Sequence, residues 1–508
     1  MSAKSPLYYV VLLGVITSLS FCHRQHLPAG AAEVNEINTD LSEQLKQSLV
    51  YLNVSAYVYN QMQPWKSAEI VQKAGFGCAV GPYEVLTTAR NASDAAFIKA
   101  RRHGQNEFIP AEVKVIDYES NLCLLELDKD AAGDPLEPLD FAEDYDKGAR
   151  VRSYRLSATG NLTTGRGYLD KAKVYKSTTS YASFLNFTVA NASDASAGAQ
   201  LYCMGQKPIG ITCWADTDAQ EVGLIPAITI NRFLADARRG QYDGFGTAGF
   251  VTRTLLDPTR RAWLKMPEDM KEGVYVAKVY NLGTGSDILN ENDVILAIDG
   301  RSLNAYGRFE HEQFGRISYH HLITGHSIGE DVTFDIWRDG KKQQLKTKAR
   351  NFEASKMLVP YYEYGKQPEY VVTAGLVFQR LTRDYLQVWG DDWRGKVPPH
   401  LYHYYRDLAF APTDQRRDIV ILSYILPANI NLGYHGLGRM VVSKFNGKEI
   451  SRLADILDAQ KLNPESKYDI VEFEHDYPTV VIPRTELQFA DIAIARNYGI
   501  TKLVNVEP

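Results

Sequence analysis

Gly75-Phe-Gly-Cys-Ala-Val-Gly-Pro-Tyr-Glu-Val-Leu-Thr-Thr-Ala-Arg90 reads as an apolar strand, a Gly-Pro turn and a second apolar strand that ends on small and polar residues. Short apolar runs bounded by turn residues predict paired strands. The same pattern recurs from about Ser48 to Phe233, where β-branched and apolar runs alternate with Gly, Asn and Asp turns. Leu49–Val58, Val113–Ile116 and Pro208–Cys213 are further instances. Helical periodicity is sparse over this region, so it reads as a β-sandwich or a pair of barrels.

At 508 residues and 45% hydrophobic content the chain can bury several separate cores, about three domains by length. A net charge of −5, from 56 basic and 61 acidic residues, supplies no basic face and argues against nucleic acid as a partner. The pairs Arg260-Arg261 and Arg416-Arg417 read as solvated surface. No Cys/His spacing resembles a zinc site, and the reading calls for no metal and no cofactor. His400 and His403 stand three apart among tyrosines, which favours packing. Cys78, Cys123, Cys203 and Cys213 leave two readings open: disulfides of an exported protein, or buried small hydrophobes.

Met1 to Cys22 carries an early lysine, an apolar run from Leu7 to Ile16 and a small, polar end. That is the shape of a bacterial export signal, too short in its apolar part for a comfortable membrane span. Leu19-Ser20-Phe21-Cys22 resembles a lipoprotein cleavage box, with Phe21 larger than the residue usual there. Cys22 is therefore a lipid-attachment candidate, set against an uncleaved anchor helix or ordinary signal removal. Residues 23 to about 40 read as a tether.

Three stretches carry a family resemblance. Thr87-Thr-Ala-Arg90 is similar to the Thr-Asn-Ala-His strand end of the HtrA/DegP proteases. Asp117-Tyr-Glu-Ser-Asn121-Leu-Cys-Leu-Leu-Glu-Leu127 resembles their Ser-Asp-Leu-Ala-Leu-Leu strand, and Asn191-Ala-Ser-Asp-Ala-Ser196-Ala-Gly-Ala-Gln-Leu201 their Gly-Asn-Ser-Gly-Gly-Pro-Leu nucleophile loop. The resemblance implies a mainly β protein: a trypsin-like double β-barrel followed by two PDZ-like α+β domains. It places Ser196 at the nucleophile position, with Arg90 and Asn121 at the positions of the catalytic His and Asp. A serine hydroxyl needs a base to take its proton and a third group to hold that base. Arg90 has donors only and stays charged, and Asn121 brings no negative charge. Asp194, two before Ser196, stands where the family has a glycine of the oxyanion hole. The competing reading is a true triad elsewhere, or an unusual base such as a lysine.

A repeat follows residue 240. Thr247-Ala-Gly-Phe-Val251 matches Thr373-Ala-Gly-Leu-Val377, and Val294-Ile-Leu-Ala-Ile-Asp-Gly-Arg-Ser-Leu303 matches Val441-Val-Ser-Lys-Phe-Asn-Gly-Lys-Glu-Ile450. Offset copies in one order imply duplicated domains, and both resemble circularly permuted bacterial PDZ domains. The expected peptide-binding edges are then Gly249, Phe250 and Val251, and Gly375, Leu376 and Val377, by strand addition. The alternative is a PDZ module that acts as an interdomain clamp with its groove filled internally. Tyr361–Phe378, Tyr385–Trp393 and Ala428–Tyr434 resemble the carboxyl-terminal region of plant Deg-type proteases, and the many tyrosines read as packing between modules.

The expected organisation is a signal peptide (1–21), a tether (22–45), a trypsin-like domain (46–240), a first PDZ domain (241–352) and a second PDZ-like domain (353–508). The expected function is an exported, periplasmic pseudoprotease that holds polypeptide segments or carboxyl termini, chaperone-like or scaffolding. The alternatives are an active HtrA-type endopeptidase degrading misfolded proteins and a regulatory partner of an active protease. The resemblance further implies trimerisation through the protease domain.

Overall fold

Alternation decides the first strand: Val50, Leu52, Val54 and Ala56 are buried, while the residues between them keep solvent contact, the period of two that a half-buried strand requires. In the computed structural model, which describes residues 39–176, 180–475 and 477–506, this strand opens a closed six-stranded barrel. Its strands are β1 (Leu49–Val58), β2 (Glu69–Ala79), β3 (Glu84–Thr87), β4 (Ala95–Arg102), β5 (Ile109–Asp117) and β6 (Leu122–Leu127), in the order β1-β2-β3-β6-β5-β4. A second barrel uses β7 (Arg150–Leu156), β8 (Leu162–Tyr175), β9 (Phe184–Ala190), β10 (Leu201–Met204), β11 (Lys207–Asp216) and β12 (Glu221–Pro226). Its order, β7-β8-β9-β12-β11-β10, repeats that of the first strand for strand. Of the two architectures left open by the strand pattern, the barrel pair is the one present. Closure removes every sheet edge from this half of the chain. The segment Met1–Cys22, including the lipid-attachment reading of Cys22, lies outside the described residues.

The helix Ala227–Ala237 follows β12 and buries Ile230, Phe233 and Leu234. The next sheet has β13 (Phe250–Arg253), β14 (Val274–Val279), β15 (Val294–Ile298), β16 (Arg301–Ser302), β19 (Asp331–Arg338) and β20 (Lys341–Lys348), with β17 (Arg308–His311) and β18 (Gly315–Ser318) forming a separate hairpin. The core of this PDZ-like module is continuous with that of the second barrel: Phe187 of β9 and Tyr145 meet Phe314 at ring distances of 5.7 and 5.5 Å.

The carboxyl-terminal sheet runs β27-β26-β24-β23-β22-β21-β28, from β21 (Tyr370–Thr373), β22 (Leu376–Arg380), β23 (Val420–Ile425), β24 (Met440–Phe445), β26 (Tyr468–Phe473), β27 (Val480–Pro483) and β28 (Val504–Asn505), with β25 (Lys448–Glu449) paired to β24. The second repeated block is one hairpin in both modules. Asp299-Gly300 (φ 48° and 72°) joins β15 to β16 and Asn446-Gly447 (φ 50° and 78°) joins β24 to β25, the left-handed pair that two-residue hairpins need. Tyrosines do pack between modules: Tyr181 lies 4.3 Å from Tyr361, and Tyr118 stacks on Tyr364 at 3.6 Å.

All four described cysteines are free thiols, which decides against disulfides among them. Burial raises the thiols of Cys78 and Cys213 to about 12; Cys78 is buried as a small hydrophobe, whereas Cys213 Sγ donates to Asn186 Oδ1 at 3.2 Å and the Gly223 carbonyl at 3.3 Å.

Candidate functional site

Arg90 sits in the short helix Ala89–Ala92 that ends β3, capped by the Thr88 hydroxyl, which accepts from the Asn91 amide. Asn121 opens β6 from the left-handed region (φ 59°), where asparagine is among the few tolerated side chains. From there both of its oxygens serve the helix start. Its backbone carbonyl accepts from Ala89 N–H at 3.1 Å, and its Oδ1 accepts from Arg90 N–H at 3.0 Å. The amide oxygen that could have steered an imidazole is thus spent on backbone. The Arg90 side chain is exposed, and its guanidinium has no ion-pair or hydrogen-bond partner among the described residues.

Ser196 lies in the irregular loop between β9 and β10 and is partly buried. No histidine ring among the described residues hydrogen-bonds to it; His103, for instance, meets the Gly160 carbonyl at 2.8 Å. The loop is pinned on several sides. Arg155 Nε and Nη2 grip the Asp194 carboxylate at 2.9 and 2.8 Å, and Gln200 Nε2 adds a contact at 3.2 Å. The same guanidinium sits 5.0 Å from the Phe76 ring. Gly165 of β8 makes room for this arrangement, since a Cβ there would fall 2.9 Å from Asp194 Cβ and 2.5 Å from Ser153 Oγ. The Gly198 carbonyl accepts from Phe76 N–H at 2.8 Å and Asn91 Nδ2 at 3.1 Å. Asp194 is absent from the positive-φ residues, whereas Asn191 and Ala199 adopt φ of 53° and 66°. The Asp194 side chain is therefore committed to an ion pair with Arg155.

Two cavities meet at Arg90 and Asn121. One, of 170 Å³, is walled by Phe184, Asn186, Trp214 and Ile225; the other, of 530 Å³, includes Lys73, Asp94, Tyr118, Tyr364 and Asp384. Sequence reasoning passed over Glu119. Its Oε2 accepts from Ser180 Oγ at 2.9 Å, Tyr181 N–H at 2.7 Å and Ala182 N–H at 2.9 Å. Burial dominates those bonds and raises its carboxyl to about 7. Nothing local marks this role, because the donors lie about sixty residues further along the chain.

The first module presents an edge. Among the described residues β13 pairs with β14 alone, and Phe250 and Val251 line a 280 Å³ cavity with Tyr319, with His320 and Thr324 of the helix His320–Thr324, and with Phe410 of the last module. Gly249 is needed for close approach: a Cβ there would fall 2.6 Å from the Leu282 carbonyl. Burial, with Lys176 adding to it, lowers the His320 imidazole to about 4, so it is neutral.

The second expected edge needs correction. Gly375, Leu376 and Val377 offer no free strand, because β22 is hydrogen-bonded to β21 on one side and β23 on the other. Ala374 and Gly375 (φ 49° and 79°) form the tight turn of the β21–β22 hairpin. The Ala374 amide, available in principle to a peptide carboxylate, donates to Asp491 Oδ1 at 2.6 Å from the helix Leu487–Tyr498. The Gly375 carbonyl accepts from Leu426 N–H at 2.7 Å.

A family model described as a PDZ domain matches residues 359–504. Among curated proteins, the chain is 26% identical over 450 residues to Protease Do-like 2, chloroplastic, of Arabidopsis thaliana, covering 86% of this chain and 71% of that one. It is 27% identical over 335 residues to Protease Do-like 4, mitochondrial, of the same organism, covering 64% and 62%. Among solved structures, the HtrA-type protease AlgW with decapeptide is similar at a TM-score of 0.48 and 14% identity, over 62% of this chain and 99% of that one. The chain is a relative of the Do-like proteases, with a PDZ domain at its carboxyl-terminal end.

Proposed function

We propose that this protein is an HtrA-like pseudoprotease: a trypsin-like double barrel that no longer hydrolyses peptide bonds and holds extended polypeptide segments or carboxyl termini, in a chaperone-like or scaffolding role. The observation that carries the reading is Arg90. A guanidinium cannot accept the serine proton at any working pH. Loss of a triad member costs on the order of 10⁴-fold, and combined losses do not simply add. Asn121, bonded to the Arg90 amide, and Asp194, bonded to Arg155, remove two further requirements of the reaction.

Binding is assigned to the first module. The free edge of β13 can accept an added strand, and the apolar cavity beside it can take a side chain. Export and lipid attachment at Cys22 belong to the proposal on the strength of Met1–Cys22 alone, as does a homotrimer on the strength of the family resemblance. Casein hydrolysis by purified protein beside a Ser196→Ala variant tests the chemistry. Background rates for both are expected, and cleavage lost on substitution would reinstate the endopeptidase. Binding of apolar-ended peptides with free carboxylates, but not of their amides, tests the module. Equal binding of both, or of neither, overturns that assignment.

A further inference from the structure

The positions that would hold catalytic His and Asp carry hydrogen-bond donors that have no partner among the described residues. The Arg90 guanidinium is exposed and without partner among the described residues; the half-buried Asn121 leaves its Nδ2 without a partner there too, while its Oδ1 is held by the Arg90 amide. Both residues line the 170 Å³ cavity walled by Phe184, Trp214 and Ile225. An apolar cavity of about 150 Å³ holds a benzene ring, so this one has room for a single aromatic or branched side chain. Trp214 lies over β12 where Gly223 opposes it, and a Cβ on Gly223 would fall 1.9 Å from its ring nitrogen. The cavity has an aromatic and apolar wall but is also lined by Ser120 and Asn186; unpartnered donors at its mouth call for a ligand that brings acceptors, and a guanidinium favours a carboxylate through paired, charge-assisted bonds.

The neighbouring carboxylates do not fill that role. Glu119 also lines the cavity, but its Oε2 is turned to the Ser180–Ala182 donors. Asp94 and Asp384 line the larger cavity on the other side of Arg90, and Asp94 Oδ1 accepts from Gly365 N–H at 2.7 Å. Lys73 lies on that same side, bonded to Ser93, and adds positive charge.

We infer that the former catalytic cleft is a second binding site, which takes an acidic group carried next to an aromatic or branched residue, with the carboxylate on Arg90 and the side chain in the Phe184–Trp214 cavity. This deepens the non-hydrolytic reading above: the cleft grips what it no longer cuts. The carboxylate can come from a side chain or from a chain end, and the chemistry at Arg90 is the same.

The test uses the full chain and three probes, read by saturation-transfer NMR: N-acetyl-Phe-Glu-amide, N-acetyl-Phe-Gln-amide and N-acetyl-Phe with a free carboxylate. The two charged probes are expected to bind about tenfold or more tightly than the neutral one. Arg90→Gln should erase that advantage, and Arg90→Lys should keep part of it. The preference should also weaken as salt rises, which a purely structural role for Arg90 would not produce. Binding by the Glu probe alone assigns the site to acidic side chains, and binding by the free-carboxylate probe alone assigns it to chain ends. Equal binding of charged and neutral probes, or indifference to Arg90→Gln, overturns the inference. Arg90 does not line the groove of the first PDZ-like module, so failure here leaves that assignment standing. The same titration on Ser196→Ala keeps the inference separate from the outcome of the casein assay.

Discussion

Glu119→Gln isolates one buried carboxyl whose ionisation works against the fold. All three donors that hold Glu119, the Ser180 hydroxyl and the Tyr181 and Ala182 amides, converge on Oε2. The proton can therefore reside on Oε1 without breaking any of them, and burial favours that state. The carboxyl rises from an ordinary 4.5 to about 7. At about 1.4 kcal/mol per pH unit, the ionised form costs the folded protein about 3 kcal/mol relative to the unfolded chain. Because the folded value lies above the unfolded one, the contribution is fully present below pH 4.5, falls as pH rises and is lost above about 7. Asp384, raised to about 7, and Asp491, raised to about 6, both by burial, pull the same way, so the parent curve is a sum. Glutamine keeps one oxygen for the three donors and cannot ionise. Urea midpoints of parent and variant at pH 5 and pH 8.5 are the assay. The variant should gain on the parent by about 2.5 kcal/mol between those two pH values, the rest having been lost by pH 5. Parallel decline of the two proteins would show that Glu119 does not carry this charge penalty.

Arg90→His with Asn121→Asp should leave casein hydrolysis at background, because Asp194 stays clamped by Arg155 where an oxyanion-hole amide is needed; measurable turnover by that double variant counts against the dismantled-site reading. Asp491→Ala strands the Ala374 N–H and should cost about 1–3 kcal/mol, read as a lower thermal midpoint with the barrels' fluorescence little changed. Gly375→Ala should cost more, since its Cβ would fall 2.4 Å from the Leu426 carbonyl and its left-handed backbone adds about 1–2 kcal/mol. A Gly375→Ala protein as stable as its parent would show that the turn has room the geometry denies.

The barrels were legible because each strand states its own burial: apolar residues at β1, β2 and β6 alternate or run continuously between turns. Their closure in one repeated order was not, since strand order is a property of pairings tens of residues apart. The same limit hid the lock on the Ser196 loop, where Asp194 finds Arg155 thirty-nine residues away. The cysteines could not be assigned either, because a buried thiol and half a disulfide look alike in sequence.

The sharpest case is the repeated pentapeptide. Thr247-Ala-Gly-Phe-Val251 and Thr373-Ala-Gly-Leu-Val377 share their opening three residues and differ in backbone. In the first copy Ala248 bridges in parallel to Thr284, the Gly249 amide donates to the Thr284 carbonyl, and the strand that follows keeps a free edge. In the second, Asp491 takes the Ala374 amide, Asn431 Nδ2 takes the Ala374 carbonyl at 2.6 Å, and the pair turns left-handed to return β22 along β21. Glycine permits either course; distant side chains choose between them. A motif of small residues thus marks where a backbone can bend, and only its partners decide whether the bend becomes a cradle for a ligand or a turn that the protein fills with its own carboxylate. That difference is why peptide binding is assigned to β13 and not to β22.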